Sequence, residues 1–300
     1  MAKKSQGERE PFIITRDEVG SLDAVLGTEA DEGGPGAPLG DSAPAVRTGL
    51  GYLVDPVDER DLNARALFGA RRSLPDEAHG LLDCLSGVYD QGPSQGCVGQ
   101  AIGHAIDVRL RKMGRWDAPK VSRGGVYKLA RALGRPSAEI PLVDEGSYPR
   151  LAMKALRVYG VPTEARVPTD LDTINEELPW DALKEASAFT LNAFWRIDAM
   201  GKGGIEDMCQ ALVNGYPVPF GLVVDKAFSN HTGKKVLGAI NQAEAIGGHM
   251  MFAVAYRTEK GRRVFTIVNS WGVTWGDGGL CEADEEFFRY VQDRSVLQVG

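Results

Sequence analysis

The feature that most limits how this chain folds is a change in hydrophobic period near residue 189. From Gly96 to Met113, the residues Val98, Ala101, Ile102, Ala105, Ile106 and Leu110 recur at spacings of three and four, which predicts a helix. Ser122 to Leu133 predicts a second helix, with Val126, Leu129, Ala130 and Leu133 on one face. Leu151 to Tyr159 predicts a third, stopped by Gly160 and Pro162. Phe189 to Ile197 instead alternates apolar and polar groups, as a strand does. After a further helix over Gly204–Asn214, the segments Pro217–Val224, Met250–Tyr256, Arg263–Val268 and Leu280–Ala283 read as strands. Helices first and strands later predict an α+β fold with the two segregated, not a chain of alternating βαβ units.

Upstream the texture is different. Residues 1–45 read as a poorly ordered tail, because Glu29 to Pro44 is rich in Gly, Pro, Ala and Asp and has few large apolar groups to repay ordering entropy. Residues 46–80 read as an ordered extension packed on the main domain, since Gly51 to Leu62 alternates apolar and charged side chains. The globular part is expected over 81–300, with a helical half at about 85–188 and a β half at about 189–300.

Composition narrows the function. A net charge of −7 without a basic stripe argues against nucleic acid as a partner. No stretch approaches the ~18 apolar residues of a membrane span, and no apolar segment follows the charged N-terminus as in an export signal. Cys84, Cys97, Cys209 and Cys281 are scattered, with no CxxC pair and no metal-ligand spacing, so no metal or other cofactor is expected. They read as free thiols, which suits a reducing, cytoplasmic setting.

Four separated segments carry chemistry. In Gln91-Gly-Pro-Ser-Gln-Gly-Cys97 a turn-rich loop delivers Cys97 to the start of a helix. That end of a helix is partially positive, which favours a thiolate, and its unpaired amides can bind an oxyanion. Gly247-Gly248-His249-Met250 presents a histidine after two small residues. In Asn269-Ser270-Trp271-Gly272, with Trp275 behind, an asparagine can fix the tautomer of a neighbouring histidine while an indole excludes water. Glu145-Gly146-Ser147-Tyr148-Pro149 is a turn before the third helix. A structural role is the simpler reading for Cys84, Cys209, Cys281, His79, His104 and His231, and for Trp275 as core.

Taken in order, these segments resemble the motifs of the papain family of cysteine peptidases. Gln91 stands six residues before Cys97, as in that family's Gln-Gly-x-Cys-Gly-Ser-Cys run. About 150 residues separate Cys97 from His249, near the spacing usual for the family. The resemblance covers roughly residues 85–285. It implies a papain-like fold with a helical subdomain, an antiparallel β subdomain and an active-site cleft between them. It implies peptide-bond hydrolysis through a Cys97 thiolate and His249 imidazolium pair and an acyl-enzyme, with Asn269 orienting His249 and Gln91 helping to hold the oxyanion. Gly146, Ser147, Tyr148, Gly248, Met250 and Trp271 would line the substrate site, and Met250 hints at an apolar neighbouring pocket. The Gly51–Leu62 arm resembles an Asp-x-x-Asp-x-Arg-Asp segment of bacterial family members. Val98 replaces a usual Trp, Ser94 a usual disulfide Cys, and Ser147 a Gly that lies against substrate. Two other readings compete: a catalytically inactive binding protein on the same fold, and a transpeptidase or amidase using the same site. The partner expected is a peptide or protein substrate; the oligomeric state is open.

Overall fold

The run of small and apolar residues from Cys97 to Lys112 forms a helix that is buried on nearly every side, and the rest of the helical half assembles around it. The computed structural model describes residues 49–69 and 73–300; the tail expected over residues 1–45 lies outside the described residues. Of these, residues 49–55, 59–69 and 73–300 belong to one compact unit. In chain order its elements are α1 (Ala64–Phe68), β1 (Glu77–Ala78), α2 (Cys97–Lys112), α3 (Arg123–Gly134), α4 (Pro149–Val158), α5 (Trp180–Ala186) and β2 (Leu191–Arg196), followed by α6 (Gly201–Val213), β3 (Val218–Asp225), α7 (Lys226–Ser229), β4 (Ala245–Glu259), β5 (Arg262–Val268), β6 (Leu280–Asp284) and β7 (Ser295–Val299).

Local chemistry sets the helix ends. The Ser122 hydroxyl accepts the Gly125 amide and caps α3. Pro149 opens α4 at a position where its missing N–H costs nothing. Polar groups inside α2 are absorbed into the core: Asp107 accepts the Val121 amide at 2.9 Å, and His104 lies edge-on between Tyr89 and Phe252. Burial first, then neighbouring cations, hold His104 down to about 3, so it is a neutral core residue, as its position in the helix implied.

The sheet half is built on β4. It pairs antiparallel with β3 and β1 along one edge and with β5 along the other, and β6 pairs with β5. β2 and β7 form a separate antiparallel ribbon. This is the α+β architecture expected from the order of helices and strands, in the arrangement that the papain-family resemblance implies. One difference bears on the site. β4 begins at Ala245, not Met250, because its pairing with β3 continues through Val223↔Gly248 and Val224↔Gly247. The glycine pair is paired backbone in the fold, and it also admits close approach of another segment: a Cβ on Gly248 would fall 2.4 Å from the Tyr52 carbonyl oxygen. His249 is therefore held in the middle of a strand, opposite Leu222.

The segment upstream of α1 is tied down by buried charge. Both carboxylate oxygens of Asp55 accept the Arg150 backbone amide, at 3.0 and 3.1 Å. Arg150 donates to Asp61 through Nε at 3.2 Å and through its terminal nitrogen at 2.5 Å. Arg196 spans Asp55 at 2.8 Å and Asp293 at 2.5 Å. The Asp-x-x-Asp-x-Arg-Asp spacing thus places Asp55 and Asp61 on two arginines from α4 and β2. Removing one partner of such a set leaves a buried charge uncompensated. Arg196→Ala is expected to cost about 3–5 kcal/mol of folding stability. Urea unfolding of parent and variant reads this directly, and a loss below about 1 kcal/mol would show that the cluster does not hold the segment.

Candidate active site

The loop that delivers Cys97 is bound to the loop that follows β5. Gln91 donates its backbone amide to the Ser270 carbonyl at 2.9 Å, and the Gly272 amide donates to the Tyr89 carbonyl at 3.0 Å. Ser270 also donates its hydroxyl to Oε1 of Gln91 at 2.6 Å. That bond turns Nε2 of Gln91 inward, where it donates to the carbonyls of Ser94 at 2.7 Å and Gly49 at 3.1 Å. Ser270 is thus a positioning residue for Gln91 that sequence reasoning passed over. Asp144 has a similar part on the other wall. It accepts the Gln95 amide and the Tyr127 hydroxyl, and that hydroxyl in turn accepts the Gly146 amide at 2.9 Å. The Gly146–Tyr148 turn is held against the Cys97 loop by this relay.

On the sheet side, Nε2 of His249 and Oδ1 of Asn269 are 2.7 Å apart. The Ser270 amide donates to the same Oδ1 at 2.8 Å, which identifies that atom as the oxygen. His249 must then donate through Nε2–H, leaving Nδ1 as the unprotonated nitrogen of the neutral ring. Trp271 stacks on the imidazole at 4.6 Å with an interplanar angle of 29°, and Phe228 meets the indole edge-on. Nδ1 has no well-formed hydrogen bond; the polar group near the ring on its other side is the Gly49 carbonyl.

Cys97 is the first residue of α2, and the backbone amides of Gly51, Met250, Val98 and Cys97 itself favour the ionised sulfur. Met250 directly follows His249 on β4, so the strand that carries the imidazole also points an amide at the sulfur. Cys97, His249, Asn269, Gln91, Gly248, Met250 and Trp271 are brought to one place by this arrangement. The Ser147 backbone meets the same region, and Tyr148 stands at the start of α4.

Residues 49–53 cover this site. The Tyr52 amide donates to the Gly248 carbonyl, the Ser147 amide donates to the Gly51 carbonyl, and the Leu53 amide donates to the Ser147 carbonyl. Tyr52 and Ser147 form a parallel bridge. The fit is close: a Cβ on Gly51 would fall 1.8 Å from the Gln95 carbonyl oxygen, so only glycine passes here. As a result Cys97 and His249 are both 0% exposed. Burial pushes the Cys97 thiol up to about 11 against the pull of its four amides. Burial also holds His249 down to about 4, with the Asn269 bond opposing it. In the covered state the pair is a neutral thiol and a neutral imidazole.

Among the described residues no group of three His, Cys, Asp or Glu is placed to hold a metal ion, and no helix is long and apolar enough to cross a membrane. Cys84, Cys209 and Cys281 are buried free thiols.

Residues 145–290 match the family model described as papain family cysteine protease; that span holds His249 and Asn269 and begins after Cys97. A peptidase C1-like protein of Acanthamoeba polyphaga mimivirus is 28% identical over 215 residues, which are 69% of this chain and 66% of that protein, just under two thirds of its length. Among solved structures, the cysteine protease xylellain of Xylella fastidiosa is similar over 87% of this chain and 100% of its own, with a TM-score of 0.70 at 22% identity. Digestive procathepsin L 3 of Tenebrio molitor larval midgut is similar over 84% of this chain and 76% of its own, with a TM-score of 0.62 at 17% identity. The bromelain protease of Ananas comosus is similar over 76% of this chain and 100% of its own, with a TM-score of 0.59 at 14% identity. At these identities the structural likeness is one of fold.

The cover predicts a measurable protection. Tyr52→Gly, which removes the largest side chain of the covering segment, is expected to raise the rate of Cys97 alkylation by iodoacetamide at neutral pH by at least about tenfold, since thiolate access controls the reaction. Peptide mass spectrometry reads the rate, with Cys84, Cys209 and Cys281 as internal controls; equal rates in parent and variant would show that residues 49–53 do not protect the thiol.

Proposed function

We propose that this papain-like cysteine peptidase hydrolyses peptide bonds with Cys97 as nucleophile and His249 as its base. The observation that carries the reading is the fixed tautomer of His249. Asn269 takes the Nε2 hydrogen, so Nδ1 is the nitrogen available to remove a proton, and the next amide of the same strand faces the Cys97 sulfur. The Cys97 thiol gives its proton to Nδ1 and the sulfur attacks the substrate carbonyl. The oxygen becomes an anion and accepts from Nε2 of Gln91 and the Cys97 amide. In the covered state the Gly49 carbonyl oxygen already accepts from that same Nε2, which supports its aim into the site. Collapse of the intermediate breaks the C–N bond, and His249 returns the proton to the departing amine. Water, deprotonated by His249, then cleaves the thioester and frees the acid.

In this reading Trp271 keeps water from the His249–Asn269 bond, and Gly146, Ser147, Tyr148, Gly248 and Met250 wall the substrate site. The backbone groups of Ser147 and Gly248 that now bind residues 51–53 would bind substrate instead. The extension around Gly49–Leu53 acts as an inhibitory strap. The Gly51 N–H of this strap, a hydrogen-bond donor, favours the ionised sulfur.

Cys97→Ala is expected to abolish peptide hydrolysis by the strap-loosened Tyr52→Gly protein. Gln91→Ala in the same background is expected to lower kcat by about 10²–10³, the usual cost of one oxyanion donor, with little change in KM. A fluorogenic peptide assay reads both. Hydrolysis that survives Cys97→Ala at the parent rate would end the assignment of the nucleophile.

A further inference from the structure

Tyr52 does more than cover the sulfur; its ring fills a pocket. The backbone around it is one residue from the amide that faces Cys97 and is bonded to Gly248 and Ser147, so the pocket opens directly beside the proposed nucleophile. The ring reaches through to β3. A Cβ on Gly221 would fall 2.2, 2.3 and 2.7 Å from three Tyr52 ring carbons. Gly221 lies in the interior of an otherwise apolar, buried strand, where glycine is unfavourable unless something must approach closely. The space for the ring is therefore built into the sheet by the absence of one side chain.

The floor of this pocket is polar. The Tyr52 hydroxyl donates to Oδ2 of Asp293 at 2.5 Å, and the Asp55 amide donates to the same oxygen at 2.9 Å. Arg196 holds the other oxygen, Oδ1, at 2.5 Å. Asp293 and Tyr52 are each 5% exposed. A carboxylate so placed is a strong acceptor for a neutral O–H. Arg196 is shared between Asp293 and Asp55, so Oδ2 of Asp293 meets the ring's O–H as an anionic acceptor.

The geometry points to a phenol-recognising specificity pocket, in which Gly221 admits the ring of a substrate tyrosine and Asp293 accepts its hydroxyl, with Tyr52 as the internal competitor. The assignment rests on the cleft reading above and adds the substrate class to it: peptides with tyrosine at the position beside the scissile bond that this pocket serves. It also replaces the apolar preference suggested by Met250 with an aromatic one tipped by a hydroxyl. Phenylalanine would fill the same space but leave a buried carboxylate oxygen short of a donor, the kind of loss that separates Tyr from Phe sharply.

Binding tests this without relying on catalysis. The full chain carrying Tyr52→Gly and Cys97→Ala has the pocket emptied and cannot cut. A fluorescently labelled peptide copying residues 49–55 is expected to bind it at least about tenfold more tightly than the same peptide with phenylalanine in place of tyrosine, read by anisotropy. Adding Gly221→Ala should abolish tyrosine-peptide binding. The methyl group has room once Tyr52 is gone, because its nearest neighbours are all Tyr52 atoms, and circular dichroism checks that the fold is kept. Equal affinity for the two peptides, or tyrosine binding unaffected by Gly221→Ala, overturns the pocket. In parallel, Tyr52→Gly protein with Cys97 intact is given matched tyrosine and phenylalanine substrates. Tyrosine-selective binding without Cys97-dependent cleavage would uphold the pocket and overturn the hydrolytic reading.

Discussion

The backbone bonds between residues 89–91 and 270–272 hold the site together. They tie the loop entering α2 to the loop leaving β5, two segments from opposite ends of the folded region. Once they form, Ser270 presents its hydroxyl to Gln91 and Trp271 closes over His249. Asn269, adjacent to both, is fixed by the Ser270 amide. A single joint therefore sets the aim of the Gln91 amide, the tautomer of His249 and the dryness of their surroundings. Such mutual positioning is what a preorganised site requires, because donors that need no rearrangement are the ones that act on a developing charge.

The same dryness has a cost that the covered state makes visible. Cys97 and His249 are both driven toward their neutral forms by burial. Four amides at the sulfur are not enough to reverse this while residues 49–53 are in place. Residues 49–53 thus cover the pair while burial favours the neutral form of both groups. The segment's hold comes from two sources of different character: backbone bonds to Ser147 and Gly248 over the site, and the buried Asp55, Asp61, Arg150, Arg196 and Asp293 cluster behind it. Asp293 belongs to both. It receives the Tyr52 hydroxyl on one side and Arg196 on the other, so the element that anchors the strap is the same one that gives the pocket its polarity.

Much of this was legible in the chain. The period of α2, α3 and α4, the strands β3, β5 and β6, and the residues at Gln91, Cys97, His249 and Asn269 could all be read from spacing and motif order. The early start of β4 could not, because Gly247-Gly248 has no side chains to carry a pattern. Short elements such as α1, α5 and β7 were missed because too few residues repeat within them. Ser270 and Asp144 were passed over because their importance lies in what they aim, not in chemistry of their own. Gly221 did leave a trace, a glycine inside an apolar strand, but nothing in the sequence says which ring it admits.

The sequence by itself determined the order of helices and strands and the set of reactive side chains, since both depend on residue type and local spacing. Only the tertiary structure decided that Gly49–Leu53 lies across Cys97 and that Tyr52 reaches Asp293. Those contacts join positions as much as 241 apart in the chain, and their geometry arises from how the sheet, the helices and the arm pack together, which no local pattern encodes.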